Sequence, residues 1–373
     1  MQNSEYLESA LWADLSEIPA ALESTLNQAQ GFDTVAEFLS ESSVRRIIAV
    51  GNGAAYYVAH NLWLASLDGS TAQLSSLDGS GAQTPSVPEV IALPAGLLKT
   101  FHWRRGDVLL ALSSSGEFRD LVEATRNTTR PYVAITANPR SPIATSARAT
   151  ATYQVLNQRA VTHTQAFCSG VATALAVWSK ITGDRPLSQA VEQSAEAFAV
   201  GLQVSTEWLN DTIDRIARRP GFATVFGSGC GWSAALEAAL LLKEVALIPA
   251  EGAEAREGGT TSMYPLAPGH LAVSLPHGGD DTQVAEAEAV CAASGATLVR
   301  LPAPGGAADQ RLATISTFPA ASLLSLALAK RAGLDPDRPK WEARYYMTAR
   351  SGSPAGGDAI TTTTRPQEGA KSA

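Results

Sequence analysis

The chain has 373 residues, 45% of them hydrophobic and only 17% charged, with 30 Gly and 20 Pro. That is a folded composition rather than a disordered one, and at roughly 150 residues per domain it leaves room for about two domains. Its formal net charge of −8 offers no basic field to a nucleic acid or an anionic membrane surface, so neither is expected as a partner.

Three scattered cysteines, Cys168, Cys230 and Cys291, form no disulfide framework, and no C-x-x-C pair offers a zinc corner. The five histidines show no H-x-x-x-H or H-E-x-x-H spacing, so no metal is expected, and no other cofactor is implied. Residues 1–15 are polar and acidic, without the features of an export signal. No run of about 20 residues lacks charges and turn residues, so no membrane span is expected, and a reduced cytoplasm is the simplest location.

In chain order, Leu15, Ile18, Leu22 and Leu26 predict a helix over Ala13–Leu26. A buried strand over Arg45–Val50 should end in Gly51-Asn52-Gly53 and lead into a helix over Ala54–Ser66. Strands are then expected at Val87–Leu93, Asp107–Ser113, Tyr132–Thr136 and Thr152–Leu156, with helices at Glu117–Asn127 and Gln165–Ile181. The second half repeats this order. Gly221–Phe226 runs into Gly227-Ser228-Gly229 and a helix through Val245, followed by strands at Leu271–Leu275, Thr297–Leu301 and Ala313–Ser316 and a helix at Thr282–Ala293. Strands alternating with helices predict parallel, doubly wound sheets, here as two tandem three-layer α/β/α units of flavodoxin-like type. The expected division is an N-terminal helix in residues 1–32, a first unit in 33–187, and a second in 188–350 with a helical connector before its sheet. Residues 351–373 are Gly/Pro/Thr-rich and read as a disordered tail. Ser66–Gln73 recurs ten residues later as Ser76–Gln83, and its Asp-Gly and Gly-Ser clusters read as a surface loop insertion.

Three features bear on chemistry. Leu110-Ala111-Leu112 is an apolar strand end followed by Ser113-Ser114-Ser115-Gly116-Glu117 before a helix, an arrangement that suits a phosphate; a serine-rich helix cap fits the same residues. The Gly51 and Gly227 turns lack the acidic residue of a dinucleotide site, because Pro94-Ala95-Gly96 follows the second strand. Glu237 and Glu244 lie seven residues apart on one face of an apolar helix, about 10.5 Å along its axis. Burial of either carboxylate would raise its pKa into the range of a general base or acid. For Glu237 an ion pair is the plainer reading, whereas Glu244 points towards function. His163, in Val161-Thr162-His163-Thr164-Gln165, fits a pocket wall or a helix cap. No G-x-S-x-G elbow marks a hydrolase serine.

Together these residues resemble the double sugar-isomerase (SIS) domain family, in particular the isomerase half of glutamine–fructose-6-phosphate transaminase. The likeness runs from about Leu15 to Tyr346. It includes Glu17-Ile18-Pro19, the Gly51 turn, Ser113–Glu117, Asn138–Ser141, Val161–Phe167, Ala235–Glu237, Leu242–Glu244, Ala250-Glu251 and Asp335–Pro339. No glutaminase domain is expected, since the chain opens on the N-terminal helix and lacks a cysteine at position two.

The resemblance implies a sugar-phosphate or amino-sugar ligand and a homodimer. It implies that Gly51, Asn52, Gly53, Ser113, Ser114, Ser115, Gly116, Phe118, His163, Thr164, Gln165, Glu257 and Thr260 surround the ligand. It further implies that Glu244, with Glu237 and Arg344, carries the catalysis, Glu244 shuttling a proton between the first two sugar carbons. Four positions depart from the family pattern. Phe118 replaces a threonine, Leu241 and Arg344 replace lysines, and Thr260 replaces the ring-opening histidine. Arginine stays charged and is no nucleophile, which disfavours an imine at Arg344 and leaves it as a charge partner for phosphate. Ring opening then falls to His163 or His277. Three activities fit: an isomerase, deaminase or deglycase; a catalytically reduced sugar-phosphate sensor or partner subunit; or an enzyme redirected by Phe118 to an unphosphorylated substrate.

Overall fold

The computed structural model describes residues 8–74, 87–275, 281–302 and 309–337. It begins with α1 (Ala10–Ser16) and α2 (Ile18–Gln28) in place of the single helix that periodicity predicts. Pro19 has no N–H and constrains the residue before it, so the helix stops at Glu17 and restarts.

The first sheet unit follows as α3 (Phe32–Leu39), β1 (Arg46–Gly51), α4 (Ala54–Leu74), β2 (Glu89–Pro94), β3 (Asp107–Leu112), α5 (Arg119–Asn127), β4 (Tyr132–Thr136), α6 (Pro142–Thr145) and β5 (Ala149–Thr152). Its five strands are parallel, in the order β2-β1-β3-β4-β5. Helices α7 (Thr164–Thr182), α8 (Arg185–Glu192) and α9 (Ser194–Thr212) lead to the second unit. That unit comprises β6 (Ala223–Gly227), α10 (Cys230–Glu244), β7 (Ala250–Glu254), α11 (Ala255–Thr260), β8 (Leu271–Leu275), α12 (Thr282–Ala293), β9 (Thr297–Arg300), α13 (Ala313–Ser316) and α14 (Phe318–Arg331). Its parallel sheet, β7-β6-β8-β9, repeats the first four positions of the first sheet.

Alternation along the strands explains the layers. Ile47 and Ala49 of β1 join one apolar core with Val225 of β6, Val273 of β8 and side chains of α4, α7, α10 and α14. Ile48 and Val50 face the other way, into a cluster with Leu121 and Val122 of α5. Phe226 and Ala272 do the same in the second sheet, meeting Val284 and Ala287 of α12. Each sheet is therefore covered on both faces, and the two units share their inner helical layer. The segment Gln310–Arg331 is long and apolar enough to cross a membrane, but it is buried inside this shared core.

Some expectations are corrected. The fifth strand forms at Ala149–Thr152 rather than Thr152–Leu156. Ala313–Ser316 is helical, not a strand; a four-residue buried apolar run carries no period to separate the two, and here it packs against α10 and α9. The first copy of the Ser66–Gln83 duplication does not open a loop, because α4 continues to Leu74. The rest of that duplication and residues 351–373 lie outside the described residues. β7 was not evident in its sequence, Ala-Glu-Gly-Ala-Glu, which has no β-branched residue. Gly252 explains its fit: a Cβ there would lie 2.6 Å from Leu236 Cα of α10, so only glycine lets strand and helix approach this closely.

Candidate functional site

The order of the first sheet reverses between β1 and β3, and open α/β sheets bind ligands beyond the strand ends at such a point. A cavity of about 370 Å³ lies there, walled by the ends of β1 and β3, by α4 and α7, and by α10 of the second unit. The cavity thus takes side chains from both halves of the chain.

Part of the lining is rich in hydroxyls. Ser113, Ser114 and Ser115 line it as the chain leaves β3. Ser113 Oγ accepts from Gly116 N at 3.0 Å and Ser115 Oγ from Glu117 N at 3.3 Å, so the turn gathers backbone donors and hydroxyls in one place. Gly116 has φ 67°, and a Cβ on it would lie 2.1 Å from Ser141 Oγ, so the turn requires glycine. Phe118, the N-cap of α5, adds an aromatic ring to the cavity wall. Asn52 and Gly53 line the cavity beside it, and Asn52 Oδ1 accepts from Ala95 N at 3.2 Å.

Another part of the lining is acidic. Glu237, Leu240 and Glu244, on successive turns of α10, all line the cavity. Glu237 is buried, and its Oε2 has no hydrogen-bond partner. Burial, followed by the neighbouring Glu244 charge and only partly offset by Lys243, pushes its pKa well above the usual carboxylate range. Glu244 lines the cavity and is exposed to solvent. Burial raises its pKa to about 7, again opposed by Lys243. The exposure of its side chain to solvent screens that shift. The described lining residues include no Lys or Arg.

The remaining wall comes from the β5–α7 connection and from α7, through Tyr153, Val161, Thr162, His163, Ala166, Phe167 and Gly170. Of the sequence-predicted residues, Asn52, Gly53, Ser113, Ser114, Ser115, Phe118, His163, Glu237 and Glu244 come together here. Gly51 and Gly116 shape the turns behind them. Thr164 is buried beside His163 but does not line the cavity, and Gln165 is committed elsewhere, its Oε1 accepting from Leu156 N at 2.6 Å. Leu241 faces the apolar core. Glu257 and Thr260 lie apart on α11, where Thr260 Oγ1 donates to Arg256 O and Glu257 Oε2 accepts from Thr261 Oγ1. Arg344 and His277 lie outside the described residues. Sequence reasoning missed Tyr153 and Thr162. Placing the fifth strand three residues too late hid the signal for Tyr153, the first residue beyond its true end.

No protein-family model matches the chain, and no curated protein matches its sequence. Solved structures do match. The C-terminal domain of glucosamine-fructose-6-phosphate aminotransferase from Francisella tularensis superposes with a TM-score of 0.72 at 17% identity, over 89% of this chain and 98% of that one. Glucosamine-6-phosphate deaminase from Thermotoga maritima gives 0.69 at 17% identity, over 89% and 98%. Tagatose-6-phosphate ketose/aldose isomerase from Escherichia coli gives 0.64 at 15% identity, over 88% and 95%. At these identities the likeness is one of architecture, and it covers nearly the full length of each partner. The chain shares the two-sheet α/β fold of these proteins.

Proposed function

We propose that this chain is a sugar-phosphate or amino-sugar-phosphate enzyme in which Glu244 is the general base. The observation that carries the reading is a single cavity lined both by a serine-rich helix start and by a carboxylate of raised pKa. A phosphate set against Ser113, Ser115 and the turn at Gly116 is held by hydroxyls and backbone N–H groups, aided by the positive end of α5. The sugar chain then extends towards α10, where Glu244 takes a proton from the carbon next to the carbonyl and returns it to the neighbouring carbon. A base with a pKa near the working pH suits such a transfer. Glu237, favoured in its protonated form, supplies a neutral hydrogen-bonding group behind it. His163, at the start of α7, lines the cavity and is assigned ring opening in this reading. The solved structures that share the fold include proteins named for hexosamine 6-phosphates and a ketose/aldose 6-phosphate, consistent with this ligand class. The family resemblance also implies a homodimer, which sedimentation of the intact protein tests.

Phe118 favours a second reading, an unphosphorylated substrate, because the cap residue of α5 brings an apolar side chain to the cavity wall and no side-chain cap hydrogen bond. Ligand-dependent melting separates the two. Fructose 6-phosphate, glucosamine 6-phosphate and the corresponding free sugars are each added to the intact protein. Stabilisation by a phosphosugar but not by its free sugar supports the first reading, and stabilisation by free sugars alone supports the second.

A further inference from the structure

The wall that carries Tyr153, Thr162 and His163 is an eleven-residue connection, 153–163, without regular secondary structure. Such a segment must find partners for its own backbone groups. Asn157 holds a left-handed φ of 45°, a conformation that asparagine tolerates better than most residues. Most of the anchoring comes from one carboxylate. Asp14 of α1 is fully buried. Its Oδ2 accepts from Ala160 N at 2.7 Å, from Gln158 Nε2 at 2.8 Å and from Arg159 N at 2.9 Å, while its Oδ1 accepts from an Arg159 guanidinium N–H at 3.1 Å. The Asp14 carbonyl also accepts from Gln165 Nε2 at 3.2 Å, and Gln165 in turn holds Leu156 N. Gln158 relays the grip forward, donating to the carbonyls of Ala160 at 2.7 Å and Thr162 at 3.3 Å. The helix bearing Asp14 is itself pinned by Asp337, whose carboxylate accepts from the N–H groups of Ala10 and Leu11 at 2.9 Å.

We infer that Asp14 is a positioning residue for the cavity: its carboxylate sets the conformation of residues 157–163 and so places Thr162 and His163 at the ligand without touching it. The functional half of this inference rests on the sugar-phosphate reading of the cavity; the structural half does not. An aspartate suits the task because a carboxylate accepts several converging N–H groups, whereas asparagine at the same place presents a donor to donors.

Hydrogen–deuterium exchange and ligand affinity of the intact Asp14→Asn chain test it together. Amides of 156–163 should exchange about tenfold faster than in wild type, with β1, β3 and α10 unchanged. The dissociation constant for whichever hexose 6-phosphate stabilises the wild type should rise about tenfold. Unchanged exchange in 156–163 overturns the inference, as does faster exchange with unaltered affinity. If no hexose 6-phosphate binds the wild type, the sugar-phosphate reading fails, while the exchange rates still decide whether Asp14 holds the wall. Should Asp14→Asn not fold, Gln158→Ala removes one donor and both relay bonds and should speed exchange in the same segment; no change there overturns the inference.

Discussion

Glu237 is the residue on which the chemistry and the stability of the site meet. Its carboxyl is favoured in the protonated form when folded, so the folded chain binds that proton more tightly than the unfolded chain. The stabilising contribution is therefore complete below the ordinary glutamate value of 4.5 and is lost as pH rises above it towards the folded value. Glu244 acts in the same direction between 4.5 and about 7. Urea unfolding of Glu237→Gln should accordingly show a gain in stability at pH 8 relative to wild type and a flatter pH profile. Equal slopes in the two proteins would mean that Glu237 ionises as freely as an exposed glutamate. Elsewhere in the cavity, Ser113→Ala removes a lining hydroxyl and the bond by which it orders the Gly116 turn. Affinity for a phosphosugar should fall about tenfold with little effect on the free sugar, as isothermal titration can show.

At the scale of the element, helix and strand signals were legible wherever the pattern was long or the ends were marked. The helix expected at Thr282–Ala293 forms over those very residues, helped by Asp281, whose side chain caps its start. Tyr132–Thr136 and Leu271–Leu275 also form as read. The Ser113–Gly116 turn and the Glu237–Glu244 helix face were visible as local patterns, which is why the hydroxyl and acidic parts of the cavity lining were legible while much of the apolar lining was not. What stayed hidden depends on contacts distant in sequence. β7 exists because Gly252 lets α10 lie against it, and nothing in five residues of Ala, Glu and Gly announces that. The Asp14 grip joins residues more than 140 positions apart. Gly252→Val tests the first point: with a Cβ forced to 2.6 Å from Leu236 Cα, stability should drop by roughly 3 kcal/mol in denaturant unfolding. A drop under about 0.5 kcal/mol, the usual size for a surface change, would show that strand and helix can separate freely.

The whole molecule is two similar sheets that share one inner layer, and the site exists only because they do. α10 belongs to the second unit, yet it completes a cavity built on the first sheet. His60 of α4 meets Ser233 of α10 at 2.6 Å across this seam, between the rings of Trp63 and Trp232. Burial lowers the His60 pKa from 6.5 to about 4, so its contribution to stability is present above 6.5 and is lost as pH falls through about 4. Relative to His60→Gln, the wild type should therefore lose protection of the α4 and α10 amides between pH 6.5 and 4, normalised to the intrinsic rate, against the opposite trend set by Glu237 and Glu244 in both proteins. Similar acid sensitivity in both proteins would place the weak point elsewhere. The most direct measurement of function is incubation with the stabilising hexose 6-phosphate in D2O. Wild type should place deuterium on the carbon next to the carbonyl, and Glu244→Gln should lose at least about 100-fold of that rate. Exchange in Glu244→Gln as fast as in wild type would contradict Glu244 as the base.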